Sequence, residues 1–210
     1  ISDTPYPVLV GYLGYPMIRY MEKILLKNPD TLKIPEAVMI RPKIVAVFDN
    51  IKDTINIMTT VYPKKEIDAE TAFNQAKKRI TNVITQLNTD VPKNLTNNKF
   101  VSNQNIHFQS NYSKEKYYDI VNKAKIYIQK GDIFQVVTSQ RFEADYELDT
   151  KALYRSLRRL NPSPFLVNLN FDSFGLVASS PEILVRVRNN KVTIRPIAGT
   201  RKRGKNSDED

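Results

Sequence analysis

Cysteine is absent from the 210 residues of this chain. Disulfides, thiolate nucleophiles and zinc sites with cysteine ligands are thereby excluded, and the composition fits a reducing compartment, with the cytosol as the default. Histidine occurs once, as His107. It lies in a polar, asparagine-rich stretch, where a lone imidazole reads as a bystander and cannot build a histidine metal site. Long apolar runs are also missing: nothing approaches the roughly 18 consecutive residues that cross a bilayer. The opening ISDTPYPVLVGYLGYPM lacks a basic leading region and carries Pro5, Pro7 and Pro16 where a signal peptide needs a helical core, so it reads as folded interior. The chain does not begin with methionine, and its closing NSDED resembles the start of a helix, so the chain reads as a piece of a longer protein. Glycine is scarce, with 6 residues, yet Gly199 and Gly204 both fall within the stretch RPIAGTRKRG.

What the chain does have is basic charge: 32 Lys and Arg against 22 Asp and Glu, a formal net charge of +10. The cations are spread over Lys64 and Lys65, the Lys77–Arg79 run, Arg155, Arg158 and Arg159, and the final cluster Arg195, Arg201, Lys202, Arg203 and Lys205. Such a balance raises nucleic-acid binding as an alternative. The aromatics do not interleave with the basic runs as a stacking platform requires, so solvated faces are the simpler reading. A hydrophobic fraction of 41% with 26% charged residues is ordinary for a globular protein. The length suits one large domain or two small ones.

Residues 38 to 61 alternate as a hairpin, VMIRPKIVAVFD and TINIMTTV about the turn NIKD. From Asp68 to Leu87, Ala69, Ala72, Phe73, Ala76, Ile80, Val83, Ile84 and Leu87 recur at helical spacing. Residues 88 to 111 have no period and read as a mobile surface connection. A second helix is signalled by Ser113 as N-cap, Glu115 in the first turn, the face Tyr117, Ile120, Val121, Ala124 and Ile128, then Lys130 and a C′ glycine, Gly131. The β-branched and aromatic IFQVVTSQRF predicts a strand, with Phe134, Val136, Thr138, Gln140 and Phe142 on the core face and Gln135, Val137, Ser139 and Arg141 on the other. A shorter helix over Thr150 to Leu160 is stapled by Leu153, Leu157 and Leu160. Strands follow at Phe165–Phe171, at Phe174–Ala178 leading to Ile183–Arg188, and at Lys191–Arg195, the last pair turned tightly by Asn189-Asn190. No internal repeat is visible. Hairpins in place of strict β-α-β alternation predict an α+β fold with mostly antiparallel sheets and flanking helices.

Candidate chemistry is thin when each motif is taken alone. Gln135, Ser139 and Arg141 offer an amide, a hydroxyl and a guanidinium at steps of about 7 Å along one strand face, which suits a polar ligand and equally a solvated face. SSPEIL sets Glu182 after Pro181 at a strand entrance, and NPSPFL stiffens a corner with two prolines. AGT at 198 to 200 would let backbone N–H groups approach an anion, with Arg195 and Arg201 on either side.

Together, YIQKGDIFQVVTSQRF, LYRSLRRLNPSPFL, ASSPEILVRV and VTIRPIAGTRKRG resemble, in order and spacing, the chorismate-binding enzymes, in particular the anthranilate synthase component I branch, and GYLGY near the start is similar as well. The resemblance spans essentially the whole chain. It implies a lyase that removes the C4 hydroxyl of chorismate, adds ammonia at C2 and eliminates pyruvate to leave anthranilate. Mg2+ is the implied cofactor, a glutamine amidotransferase (component II) the implied partner and source of ammonia, and the cytoplasm the implied location. Residues 1–110 would be part of an N-terminal subdomain and residues 111–210 the first part of the chorismate-binding catalytic domain. Neither nucleic acid nor membrane is an expected partner.

By this resemblance Glu182 is the acid that protonates the departing hydroxyl, a task for a shielded carboxyl. Ala198, Gly199 and Thr200 line the substrate site, Thr200 meeting a substrate carboxylate, so RPIAGTRKRG reads as pocket wall. In siblings that add water a lysine base stands where this chain has Gln135; a carboxamide takes up no proton near neutral pH, which favours amination. In the aminodeoxychorismate branch a lysine nucleophile stands where this chain has Ala198, and a methyl group offers none. NPSPFL (Asn161, Pro162, Ser163, Pro164, Phe165 and Leu166) resembles the segment that binds the feedback inhibitor tryptophan. It departs from the usual pattern in Phe165 and Leu166, which replace tyrosine and methionine, and in the absence of an upstream serine motif. The family's later histidine and its metal-binding glutamates are expected beyond Asp210, so no metal ligand is expected within this chain, which alone should be inactive. The alternatives are aminodeoxychorismate synthase component I, a basic nucleic-acid-binding module, or an inactive regulatory fragment.

Overall fold

The computed structural model describes residues 8–62, 64–90, 106–197, 199 and 201–210. The chain divides into two compact units, Ile1–Phe100 and Val101–Asp210. Among the described residues every strand pair is antiparallel, in five two-stranded sheets.

In the first unit β1 (Val10–Leu13) pairs with β2 (Ala37–Ile40). Gly11 sits where a side chain has no room: a Cβ built there would lie 1.8 Å from the carbonyl oxygen of Val38 on the partner strand. A 3-10 helix, Tyr15–Tyr20, follows, with a proline in its first turn. Arg19 in its last turn reaches Glu36 at 2.7 Å, just ahead of β2. The hairpin expected over residues 38 to 61 is split. Val38–Ile40 belongs to β2, and the chain resumes as β3 (Ile44–Asp49) paired with β4 (Thr54–Thr59). Pro42 lies in the gap; it has no N–H for a ladder, so one extended stretch becomes two strands with different partners. Asp49 Oδ1 accepts from the N–H groups of Ile51 and Lys52, both at 3.1 Å, which folds the β3–β4 turn.

The helix α1 (Ala69–Leu87) begins at Asp68, whose Oδ1 accepts from Thr71 N–H at 2.8 Å while its Oδ2 accepts from the Thr71 hydroxyl at 2.7 Å. It packs on β4, where Thr59 Oγ1 donates to the Lys43 carbonyl at 2.7 Å and accepts from Arg79 Nε at 3.1 Å. Ala76, 5% exposed, is the one buried hydrophobic residue among those described. The expected apolar face is narrower than its periodicity: Ala72, Ile80 and Val83 are half-buried, whereas Phe73, Ile84 and Leu87 are exposed.

The Asp68 cap carries a pH dependence. The Thr71 amide, then the Thr71 hydroxyl, hold the Asp68 carboxyl below its ordinary value near 3.8. A carboxylate with a lowered folded-state pKa stabilises the fold above its unfolded value, and the contribution disappears as pH falls through the folded one. Asp68→Ala is therefore expected to lower the unfolding temperature at neutral pH. Asp68→Asn keeps an acceptor but cannot titrate, so the difference in urea midpoint between wild type and this variant should be flat above about pH 5 and shrink below it. A pH-independent difference would refute the charged cap.

In the second unit α2 (Lys114–Gln129) matches its sequence signals. The Ser113 hydroxyl accepts from Lys116 N–H at 3.2 Å. At the other end Gly131 has φ +78°, with its N–H on the Ile128 carbonyl and that of Asp132 on the Tyr127 carbonyl, both at 3.0 Å: the Schellman motif that a left-handed C′ residue allows. Helix α3 runs Thr150–Leu160, capped by Asp149, and packs on the hairpin of β7 (Phe165–Asn170) and β8 (Gly175–Ser180). Its inward residues include Tyr154 and Leu157; Leu153 and Leu160, expected as staples, are exposed. Asn189 and Asn190 take φ of 49° and 58° and join β9 (Arg186–Arg188) to β10 (Lys191–Thr193).

The strand expected over IFQVVTSQRF is largely not formed. Only Phe142 of that stretch enters β6 (Phe142–Glu143), which pairs with β5 (Gln109–Ser110), itself inside the expected loop. A strand exists through its ladder, and two residues of β5 provide two residues of partner. Part of the expected core face still turns inward: Thr138 Oγ1 meets Tyr117 Oη at 2.9 Å, and Gln140 Nε2 donates to Ser110 Oγ at 2.7 Å. Val136 and Thr138 also line a cavity of about 330 Å3 against α2. Phe134, by contrast, is 94% exposed. Among the described residues no helix is long and apolar enough to cross a membrane.

Candidate active site

The α3–β7–β8 unit positions the segment that carries Glu182. α3 stops at Asn161 because the residue before a proline is pushed out of the helical region; Asn161 has φ −137° and ψ 71°. Pro162 and Pro164 then stiffen the entry to β7. The register pairs Leu166 with Ser179 and Phe165 with Ser180. A Cβ built on Gly175 would meet Thr150 Cγ2 of α3, so Gly175, Val177 and Ser179 face α3, and Ser180 leaves on the opposite face.

Ser179 Oγ donates to the Asn161 carbonyl at 2.7 Å and lies 2.8 Å from Ser163 Oγ, whose hydroxyl is also 3.3 Å from the Phe165 carbonyl. Ser180 Oγ accepts from Glu182 N–H at 3.2 Å, folding the turn through Pro181. Asn161, Ser163 and Phe165 are thus tied to the strand that ends at Ser180, two residues before Glu182. The sequence reading marked Ser163 and Glu182 individually. It had no means of finding Ser179, whose neighbours come from a corner 18 positions earlier.

The Glu182 side chain is exposed, and so is that of Gln135. Gly199 is exposed, with nothing within 4 Å of a Cβ built on it. Ala198 and Thr200 lie outside the described residues. Arg195, Arg201 and Lys202 are exposed. Arg203 pairs with Asp210 at 2.8 Å, and Gly204 N–H donates to Asp210 Oδ1 at 2.7 Å, so the last residues fold back on the basic stretch. His107 is exposed. Among the described residues no group of three or more His, Cys, Asp or Glu side chains gathers as a cation site, so these residues do not fit Mg2+. The chemistry open to them is proton donation by Glu182 and hydrogen bonding by Gln135 and by backbone amides.

The described residues form an α+β framework of antiparallel hairpins with flanking helices, with Glu182 following β8. The family model described as chorismate binding enzyme matches residues 1–210, and the chain belongs to that family. Two of its relatives share one name. Anthranilate synthase component 1 of Cereibacter sphaeroides is 46% identical over 202 residues, which is 96% of this chain and 40% of the relative. The protein of the same name from Aquifex aeolicus is 37% identical, with the same coverage of 96% and 40%. Among solved structures, anthranilate synthase component I of Streptococcus pneumoniae TIGR4 superposes with a TM-score of 0.78 at 29% identity, over 92% of this chain and 43% of that one. The chain therefore spans about 40% of the length of the curated relatives it matches.

Proposed function

We propose that this chain is part of an anthranilate synthase component I, a cytoplasmic lyase of tryptophan biosynthesis. The reaction it would serve converts chorismate and ammonia to anthranilate, pyruvate and water. Membership of the chorismate-binding family over residues 1–210 carries this reading, and the residue types at Gln135 and Ala198 support amination with a free nitrogen donor. A carboxamide cannot act as the base that activates water, and a methyl group supplies no covalent amine.

In this reading Glu182 gives its proton to the C4 oxygen as the C–O bond breaks, so that water leaves in place of hydroxide. Gly199 and Thr200 hold a carboxylate of the substrate through N–H groups and a hydroxyl. The exposed Phe134 (94%) and Leu184 (87%) flank the two side chains proposed for the chemistry. In a polypeptide of the relatives' length these apolar surfaces would be covered, and the cover would shield Glu182 from water. Mg2+ would be held by ligands outside the described residues, where it would neutralise the substrate's carboxylates. The ammonia would come from a glutamine amidotransferase partner. Tryptophan, bound at Asn161–Leu166, would be a feedback inhibitor.

The test is incubation of the intact polypeptide with chorismate, Mg2+ and ammonium at alkaline pH. Anthranilate fluorescence is the expected result, with none from the 210-residue chain alone. Aminodeoxychorismate in place of anthranilate would select the sibling activity. Absence of both products, with salt-dependent binding to random DNA below micromolar, would select a nucleic-acid module.

A further inference from the structure

Two adjacent serines close β8, and their hydroxyls bind in opposite directions. A hydroxyl owns a single proton. The Ser179 proton is shared between the Asn161 carbonyl at 2.7 Å and Ser163 Oγ at 2.8 Å, while Ser163 donates its own to the Phe165 carbonyl at 3.3 Å. On the other face, Ser180 Oγ holds the amide of Glu182 at 3.2 Å. Pro181 stands between, its φ fixed by the ring. A stiff path therefore runs from the end of α3, through Ser179 and the end of β8, to the backbone of Glu182.

We propose that Ser179 is a positioning residue for Glu182: it fixes the end of β8 against the Asn161–Ser163 corner and so sets where the carboxyl stands. The proposal rests on the reading of Glu182 as the acid in the preceding subsection. Six ladder pairs, from Phe165↔Ser180 to Asn170↔Gly175, keep the hairpin in register without the Ser179 hydroxyl. Its loss is a loss of placement more than of fold. The Asn161 carbonyl is then left to solvent, while Ser163 keeps its bond to the Phe165 carbonyl at 3.3 Å. A displacement of about 1 Å at a reacting group can cost up to about 100-fold in rate.

The experiment compares Ser179→Ala and Ser179→Thr in the intact polypeptide. Ser179→Ala is expected to lower kcat about 10- to 100-fold with KM nearly unchanged, and Ser179→Thr, which restores a hydroxyl, to recover most of it. In a Glu182→Gln background Ser179→Ala should cost nothing further, because the group it positions is gone. Independently of activity, hydrogen exchange at the Glu182 amide should accelerate in Ser179→Ala while the β7–β8 ladder amides stay protected. Wild-type kcat in Ser179→Ala, a loss that adds fully to that of Glu182→Gln, or unchanged exchange at Glu182 would each overturn the proposal. Failure of the wild-type protein to form anthranilate would overturn the functional reading instead. Exchange at Glu182 then decides the placement by itself, faster exchange upholding it and unchanged exchange refuting it.

Discussion

Glu182→Gln in the intact polypeptide is expected to lower kcat by about 100- to 10,000-fold, the range for losing a general acid. The substitution keeps the shape of the side chain and its backbone turn on Ser180, so folding should be unaffected. What it removes is a transferable proton. Departure of the C4 oxygen as hydroxide is far less favourable than departure as water, and the penalty falls on the transition state alone. kcat and kcat/KM should accordingly drop together, with KM for chorismate near its wild-type value. Steady-state rates of anthranilate formation at saturating ammonium measure this directly, with the circular dichroism spectrum confirming the fold. Turnover near the wild-type rate would remove Glu182 from the chemistry.

The second large effect is structural. Gly11→Ala should destabilise the first unit by about 3 kcal/mol, the upper end of the range for overpacking. The added methyl would stand 1.8 Å from the carbonyl oxygen of Val38, 2.8 Å from its carbonyl carbon and 2.9 Å from Met39 Cα. All three are backbone atoms of the paired strand, and no side chain can swing aside to relieve them. β1 and β2 must part, which breaks the ladder around Gly11↔Met39. Gly199→Ala is the control, since nothing lies within 4 Å of its Cβ position. Urea unfolding of the two variants beside wild type should separate them clearly. Equal midpoints would mean that β1 and β2 are not in contact at Gly11.

What the sequence determined by itself was local or chemical. The Ser113 cap, the Gly131 terminus, the limits of α3 at Thr150 and Leu160 and the Asn189-Asn190 turn all depend on residues within a few positions of one another. Backbone geometry reads such signals without help from the rest of the chain. Residue type limits the chemistry open to Gln135 and Ala198 in the same way, since a functional group keeps its reactivity class wherever it is placed. The tertiary structure decided matters of partnership. β2 and β3 became separate strands because their ladders run to different neighbours, and IFQVVTSQRF stayed mostly unpaired because β5 offers two residues. The alternation of α1 over-counted its inward face because β4 covers a narrower strip than the apolar period supplies. Ser179 acquired its role only when the β7–β8 register carried it to a corner distant in sequence. Periodicity tells which side of an element a residue occupies; what stands opposite depends on contacts between segments far apart along the chain.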